Sequence, residues 1–284
     1  MAVKINLTTE ARQWIVNRTL AGATHDDVVR ELIAAGWQKP AALEALRLVQ
    51  ADSAKARVAL AANAPTTKVP ELELAASPLW VDAGDRRVRI LLAMREPRLV
   101  VFGDLLSAEE CAGLIAAAEP RMRRSETVDR ATGGVQVDAA RTSRGMFFGR
   151  AEDELTTRIE QRIAKLVNWP ATHGEGLQVL HYKPGAEYEQ HYDYFDPTDL
   201  GTPALLKHGG QRVASLIMYL NTPEQGGATT FPDVGVEVMP QQGNAVFFSY
   251  AEPHPSSKTL HAGAPVIAGE KWIATKWLRE RVFG

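Results

Sequence analysis

The chain has 284 residues, 45% of them hydrophobic and 23% charged, enough to bury a full core in one large domain with a smaller companion. Its net charge of −2 and lack of a long Lys/Arg block argue against nucleic acid as the main partner; the short run Arg121-Met122-Arg123-Arg124 reads as a solvated helix end. A single cysteine, Cys111, rules out an internal disulfide, and an early-charged N-terminus without a continuous apolar stretch predicts no signal peptide, no membrane span and a reducing, cytoplasmic setting.

Residues 1–63 are expected to form a small all-α unit. Thr8, Thr9 and Thr24 are placed as N-caps, Trp14-Ile15-Val16 and Val28-Val29-Arg30-Glu31-Leu32-Ile33 carry apolar residues at helical spacing, and Lys39-Pro40 opens a third helix running to about Ala62. The unit is similar to small three-helix partner-binding modules, and it fits equally a cap on the larger domain or on a second subunit of a homodimer. His25-Asp26-Asp27 spells His-x-Asp, but it falls in the first turn of a helix. There, positions two apart do not face each other, and acidic residues are explained by capping and the helix dipole. Residues 64–87, including Ala64-Pro65-Thr66-Thr67-Lys68-Val69-Pro70, read as a linker, and 88–284 as the large domain.

Within that domain Leu177 to Tyr182 reads as a strand, Lys183-Pro184-Gly185 as a turn, and Tyr188 to Tyr194 as a second, aromatic-rich strand. With a side-chain period of two, His191 and Asp193 project from one face. The tyrosines around them fit core packing equally well. Arg212 to Leu220 is a long strand whose apolar density predicts burial on both faces. Gly226 to Pro232 reads as a turn entering a short strand, Gly235–Val238 and Asn244–Tyr250 follow, then Thr259-Leu260-His261-Ala262-Gly263 and a last strand from Lys271. This succession, without intervening helical patterns, predicts a sandwich or barrel, and a jelly roll is the variant that brings His261 beside His191 and Asp193. Two imidazoles and a carboxylate form the ligand set that holds non-haem Fe(II) while leaving positions open. Lys271, ten residues past the last histidine, points to an anionic co-substrate beside the metal. Glycine-bounded Gly263 to Lys271 is not a phosphate loop, because the spacing is wrong and Glu270 stands where lysine is required.

The segments HYKPGAEYEQHYDYF, GGQRVASLIMYLNTPEQGGATTFP, GNAVFFSY and LHAGAPVIAGEKWIATKWLRER together resemble the catalytic domain of the prolyl 4-hydroxylase branch of the Fe(II)/2-oxoglutarate-dependent dioxygenases. The resemblance is strong over 177–281. It is weaker from about 98, where Leu99 to Cys111 is similar to the domain's first strand and helix, and Arg141-Thr142-Ser143 to a common segment.

The resemblance implies a mainly β fold with flanking helices, a double-stranded β-helix (jelly roll). It implies Fe(II) held by His191, Asp193 and His261. 2-Oxoglutarate would chelate the metal and set its far carboxylate against Lys271, assisted by the hydroxyls of Tyr182 and Thr229. O2 would be the second co-substrate, and ascorbate is a candidate accessory. The reaction implied is hydroxylation of an unactivated C–H bond, at C4 of a prolyl residue in a protein or peptide, with decarboxylation of 2-oxoglutarate to succinate and CO2.

Arg212, Trp277 and Tyr188 match or flank positions that line the substrate groove. One departure stands out: prolyl hydroxylases often carry histidine two residues beyond the tryptophan, where this chain has Arg279. That keeps two alternatives open, the same chemistry on a free amino acid or other small molecule, and a non-catalytic binding module. Asp196 to Gly210, rich in glycine and proline signals, is long enough for a lid.

Overall fold

A computed structural model describes residues 7–8, 11–12, 14–15, 18, 25–49, 68–125, 127–128, 135–136, 142–199 and 201–284. The chain divides into two compact units, Met1–Pro65 and Thr66–Gly284. The expected N-caps Thr9 and Thr24, together with Val16, residues 50–62 of the expected third helix and Arg141, lie outside the described residues.

In the first unit the described elements are helical, and they include His25–Ala34 and a helix over 39–49. Ile15, Val28, Leu32, Ala42 and Leu46 meet in a small core with Trp37 packed against it. Asp26 and Asp27 occupy the first turn of the His25 helix, and Asp27 accepts from Arg30 Nη1 at 3.0 Å. Its His-x-Asp pattern is thus part of a helix start.

The second unit is a jelly roll built on a nine-stranded antiparallel sheet. From one edge the strands run Trp80–Asp82, Arg87–Met94, Arg98–Gly103, Ala245–Ser249 and Arg212–Tyr219. Lys271–Arg279, Gln178–Tyr182, Arg144–Phe147 and Arg123–Arg124 complete it. A four-stranded antiparallel sheet faces it, in the order Val236–Val238, Thr229–Phe231, His261–Gly263, Tyr188–His191.

The strand Arg212–Tyr219 is apolar almost throughout because both its faces are covered. Leu216 and Met218 belong to the core shared with helices Ala108–Ala118 and Glu154–Leu166. Ile217 and Tyr219, one residue out of phase, belong to the core shared with the smaller sheet. Each helix starts on a reciprocal cap, Ser107 with Glu110 and Asp153 with Thr156. Cys111 is buried on the inner face of the first helix, and burial pushes its thiol up to about 11, the state of a packing residue.

Two expected boundaries move. The linker 64–87 contains the strand Trp80–Asp82, and Leu72 is buried in the main core, so ordered structure begins well before residue 88. The strand expected over 188–194 stops at His191. Beyond it Gln211 draws the chain toward the larger sheet, its side chain bonding both the amide and the carbonyl of Phe195 at 2.8 Å. No helix among the described residues is long and apolar enough to cross a membrane.

Candidate metal centre and co-substrate pocket

The smaller sheet brings the first two ligands together by register: His191 and His261 are directly paired across neighbouring strands. Their rings lie 4.3 Å apart between centroids. Each Nδ1 faces a backbone carbonyl two residues back, Glu189 O at 2.8 Å from His191 and Thr259 O at 3.0 Å from His261. A carbonyl only accepts, so both Nδ1 atoms carry the proton and each Nε2 is the candidate ligating nitrogen.

Both Nε2 atoms turn to Asp193, which follows the end of the His191 strand: His191 Nε2 is 3.7 Å from Oδ1 and His261 Nε2 is 3.6 Å from Oδ2. The ligand atoms of the three residues all lie within 4.8 Å of one another. Burial would raise the Asp193 carboxyl, and the charge of Arg212 and the bond from the Ser215 hydroxyl oppose that and favour the ionised form. Two imidazoles fixed in the ligating tautomer and one ionised carboxylate are the donor set of a divalent iron site with open positions, so the residues fit the metal.

A pocket of about 410 Å³, counted to its open mouth, runs from this cluster to Lys271. Tyr182, Tyr188, Thr229, Lys271 and Trp277 line it together with the three ligands. Lys271 starts the last strand opposite Tyr182, its register partner, and its Nζ lies 5.2 Å from the tyrosine ring centroid. The side chain is 1% exposed, and burial alone lowers its amine to about 8. An ammonium so placed calls for an anion.

Room for its stem comes from Gly227, which sits at φ +74°: a Cβ there would stand 3.0 Å from Lys271 Cδ. Thr229 Oγ1 accepts from the Tyr219 hydroxyl at 2.8 Å, which directs the threonine's own proton elsewhere. Tyr219 is a pocket-supporting residue that the sequence reading did not single out.

The candidate substrate residues separate. Tyr188 stacks on His191 at 3.7 Å between centroids, and Trp277 closes another side of the pocket. Arg212 stands behind that wall, outside the pocket lining. Its guanidinium is held bidentately by Glu175, at 2.7 and 2.9 Å, and lies 3.9 Å from the Trp277 ring centroid. It also donates to the Asp193 carbonyl at 3.3 Å. The structure therefore places Arg212 as a support for Trp277 and Asp193, because a buried guanidinium takes the nearest buried carboxylate.

Arg279 is buried as well, donating to Glu175 at 3.0 Å, to Leu205 O at 2.8 Å and to His208 O. It thereby pins the segment 196–210, which contains the short helix Thr202–Leu206. The departure from histidine is thus accounted for by packing: Arg279 is one arm of a salt-bridge network.

Comparison with known proteins agrees with the geometry. A family profile described as the 2OG-Fe(II) oxygenase superfamily matches residues 177–279. The chain is 42% identical over 204 residues to a probable prolyl 4-hydroxylase 3 of Arabidopsis thaliana, spanning 64% of this chain and 69% of that one. It is 39% identical over 221 residues to prolyl 4-hydroxylase 5 of the same plant, spanning 70% and 74%. Among solved structures, the 2-oxoglutarate complex of a viral collagen prolyl hydroxylase from Paramecium bursaria Chlorella virus 1 superposes with a TM-score of 0.50 at 32% identity. That match covers 64% of this chain and 95% of the viral one.

Proposed function

The chain belongs to the 2-oxoglutarate- and Fe(II)-dependent oxygenase superfamily, in its prolyl 4-hydroxylase group, and from that premise we propose that it hydroxylates C4 of a prolyl residue in a protein or peptide. It is a dioxygenase whose cofactor is Fe(II) and whose co-substrates are 2-oxoglutarate and O2. When bound, that metal and co-substrate supply the oxidising power, with 2-oxoglutarate decarboxylated to succinate and CO2 as the C–H bond is hydroxylated.

In this reading His191, Asp193 and His261 hold the iron. Lys271 pairs with the far carboxylate of 2-oxoglutarate in a charge-assisted bond, and the hydroxyls of Tyr182 and Thr229 add neutral ones. The protein contributes placement and the exclusion of water, and no side chain is needed as a general base. Tyr188 and Trp277 supply aromatic lining to the pocket, a surface suited to packing against a pyrrolidine ring. Arg212 keeps Trp277 in place from behind.

The observation that carries the reading is a pocket that joins three converging metal-ligand candidates, a lysine whose amine is lowered by burial, and aromatic side chains. Mass spectrometry of proline-containing peptides and of free proline after incubation with Fe(II), 2-oxoglutarate and O2 tests it. Addition of one oxygen to prolyl residues is expected. Turnover of free proline with every peptide untouched overturns the peptide assignment while leaving the oxygenase chemistry in place.

A further inference from the structure

The carboxylate of Asp193 is held by a feature that lies outside the ligand set. Ser215 Oγ lies 2.6 Å from Asp193 Oδ2 and 3.0 Å from the Tyr250 hydroxyl, and both residues are buried. An ionised carboxylate offers no proton, so Ser215 is the donor in the first contact. A hydroxyl has one proton, so in the second contact Ser215 accepts and Tyr250 donates.

The result is a one-way chain, from Tyr250 O–H to Ser215 O–H to Asp193 Oδ2. Its three members come from three separate places: the turn after the His191 strand, the middle of the central strand Arg212–Tyr219, and the residue just past the strand Ala245–Ser249. Tyr250 is fixed in turn by its ring contact with Tyr194, 5.9 Å between centroids, and by its backbone amide, which donates to Val213 O at 3.0 Å. On the other side of Asp193, Arg212 holds its backbone carbonyl. The side chain is therefore fixed at both ends, with Oδ1 3.7 Å from His191 Nε2 and the hydroxyl-bonded Oδ2 3.6 Å from His261 Nε2.

We propose that Ser215 and Tyr250 are positioning residues of the metal centre: the hydroxyl chain occupies Asp193 Oδ2 and so presents Oδ1 as a single-oxygen ligand. This inference rests on the assignment of His191, Asp193 and His261 as ligands. The bond from Ser215 takes one lone pair of Oδ2 and lowers its donor strength, which favours ligation through Oδ1 and keeps coordination positions available for a two-point co-substrate and O2. Hydrogen-bonding partners of ligating side chains commonly contribute 10- to 100-fold to metal affinity.

The test uses the full chain with Co(II) as a spectroscopic probe, titrated anaerobically, in wild type, His191→Ala, Ser215→Ala, Ser215→Thr and Tyr250→Phe. Ser215→Ala is expected to bind Co(II) about 10- to 100-fold more weakly, with an altered d–d spectrum as the freed oxygen reaches the metal. Ser215→Thr, which restores a hydroxyl, is expected to return both affinity and spectrum. Tyr250→Phe, which removes only the distal donor, is expected to lose about 3- to 10-fold.

A wild-type spectrum and affinity in Ser215→Ala overturn the proposal, as does a loss that Ser215→Thr fails to restore. If Ser215→Ala does not fold, Tyr250→Phe decides on the same criteria. Absence of Co(II) binding in the wild type, indistinguishable from His191→Ala, refutes the metal assignment itself. Binding in the wild type with no effect of the hydroxyls refutes only the positioning role.

Discussion

Replacing Lys271 by methionine separates what this residue does for folding from what it does for binding. The two side chains are close in length, so the change removes a charge and leaves little cavity. Lys271 titrates near 10.5 when exposed and at about 8 in its buried position. The folded pKa is the lower one, so the unfolded chain binds the proton more tightly and folding is penalised wherever that proton is present.

The penalty is absent above about pH 10.5, grows as the pH falls, and is complete below about pH 8. A drop from 10.5 to about 8, at about 1.4 kcal/mol per pH unit, comes to about 3 kcal/mol. The cation–π contact with Tyr182 returns less than about 1 kcal/mol of this. The metal-free Lys271→Met chain should therefore be more stable than wild type by about 2–3 kcal/mol at pH 7. For a unit of this size that is a rise of about 5–10 °C in melting temperature.

Thermal unfolding followed by circular dichroism at pH 7 and pH 10, with and without 2-oxoglutarate, measures it. The variant is expected to melt higher at pH 7, to lose most of that advantage by pH 10, and to show no stabilisation by 2-oxoglutarate. Wild type should be stabilised by the ligand according to its concentration and affinity. A variant that melts at or below wild type at both pH values, or that is still stabilised by 2-oxoglutarate, refutes the reasoning.

Further expectations concern the residues around Lys271 and the ligands. His191→Ala and Asp193→Ala should each abolish the visible charge-transfer band that develops when Fe(II) and 2-oxoglutarate are added anaerobically to wild type. A band that survives either change would remove that residue from the ligand set. Tyr219→Phe, which frees Thr229 Oγ1 to turn away, should raise the KM for 2-oxoglutarate about 3- to 10-fold and leave Fe(II) binding alone, as read by steady-state succinate formation. Arg279→Ala leaves Glu175 with half its cationic partners and should cost about 3–5 kcal/mol in urea denaturation; a change below about 1 kcal/mol would show the network to be dispensable. Arg279→Lys should recover only part of that loss, since one ammonium cannot reproduce the guanidinium's bonds to Glu175, Leu205 and His208 together.

The sequence by itself named the three residues of the candidate metal centre, through the ordered set of motifs along the chain, and marked many of the strands, because these are carried by local patterns. Alternation and apolar density marked Arg212–Tyr219 and Lys271–Arg279 to within a residue or two. His25-Asp26-Asp27 and His191-Tyr192-Asp193 share a spelling, and helical spacing after the first against strand signals around the second was enough to tell them apart. What the tertiary structure decided are the partners of buried polar groups, which depend on register and on which strands become neighbours.

Asp193 and Ser215 are 22 residues apart, Ser215 and Tyr250 are 35 apart, and Glu175 and Arg279 are 104 apart. Ser215 was visible only as a polar residue in an apolar strand, and Glu175 carried no local signal. Arg212 was expected in the groove from the family resemblance, and its carboxylate partner Glu175, 37 residues away, was not legible beside it. A side chain's type and spacing declare what it can do, and the chain's return from far along the sequence settles whether a neighbour has already claimed it.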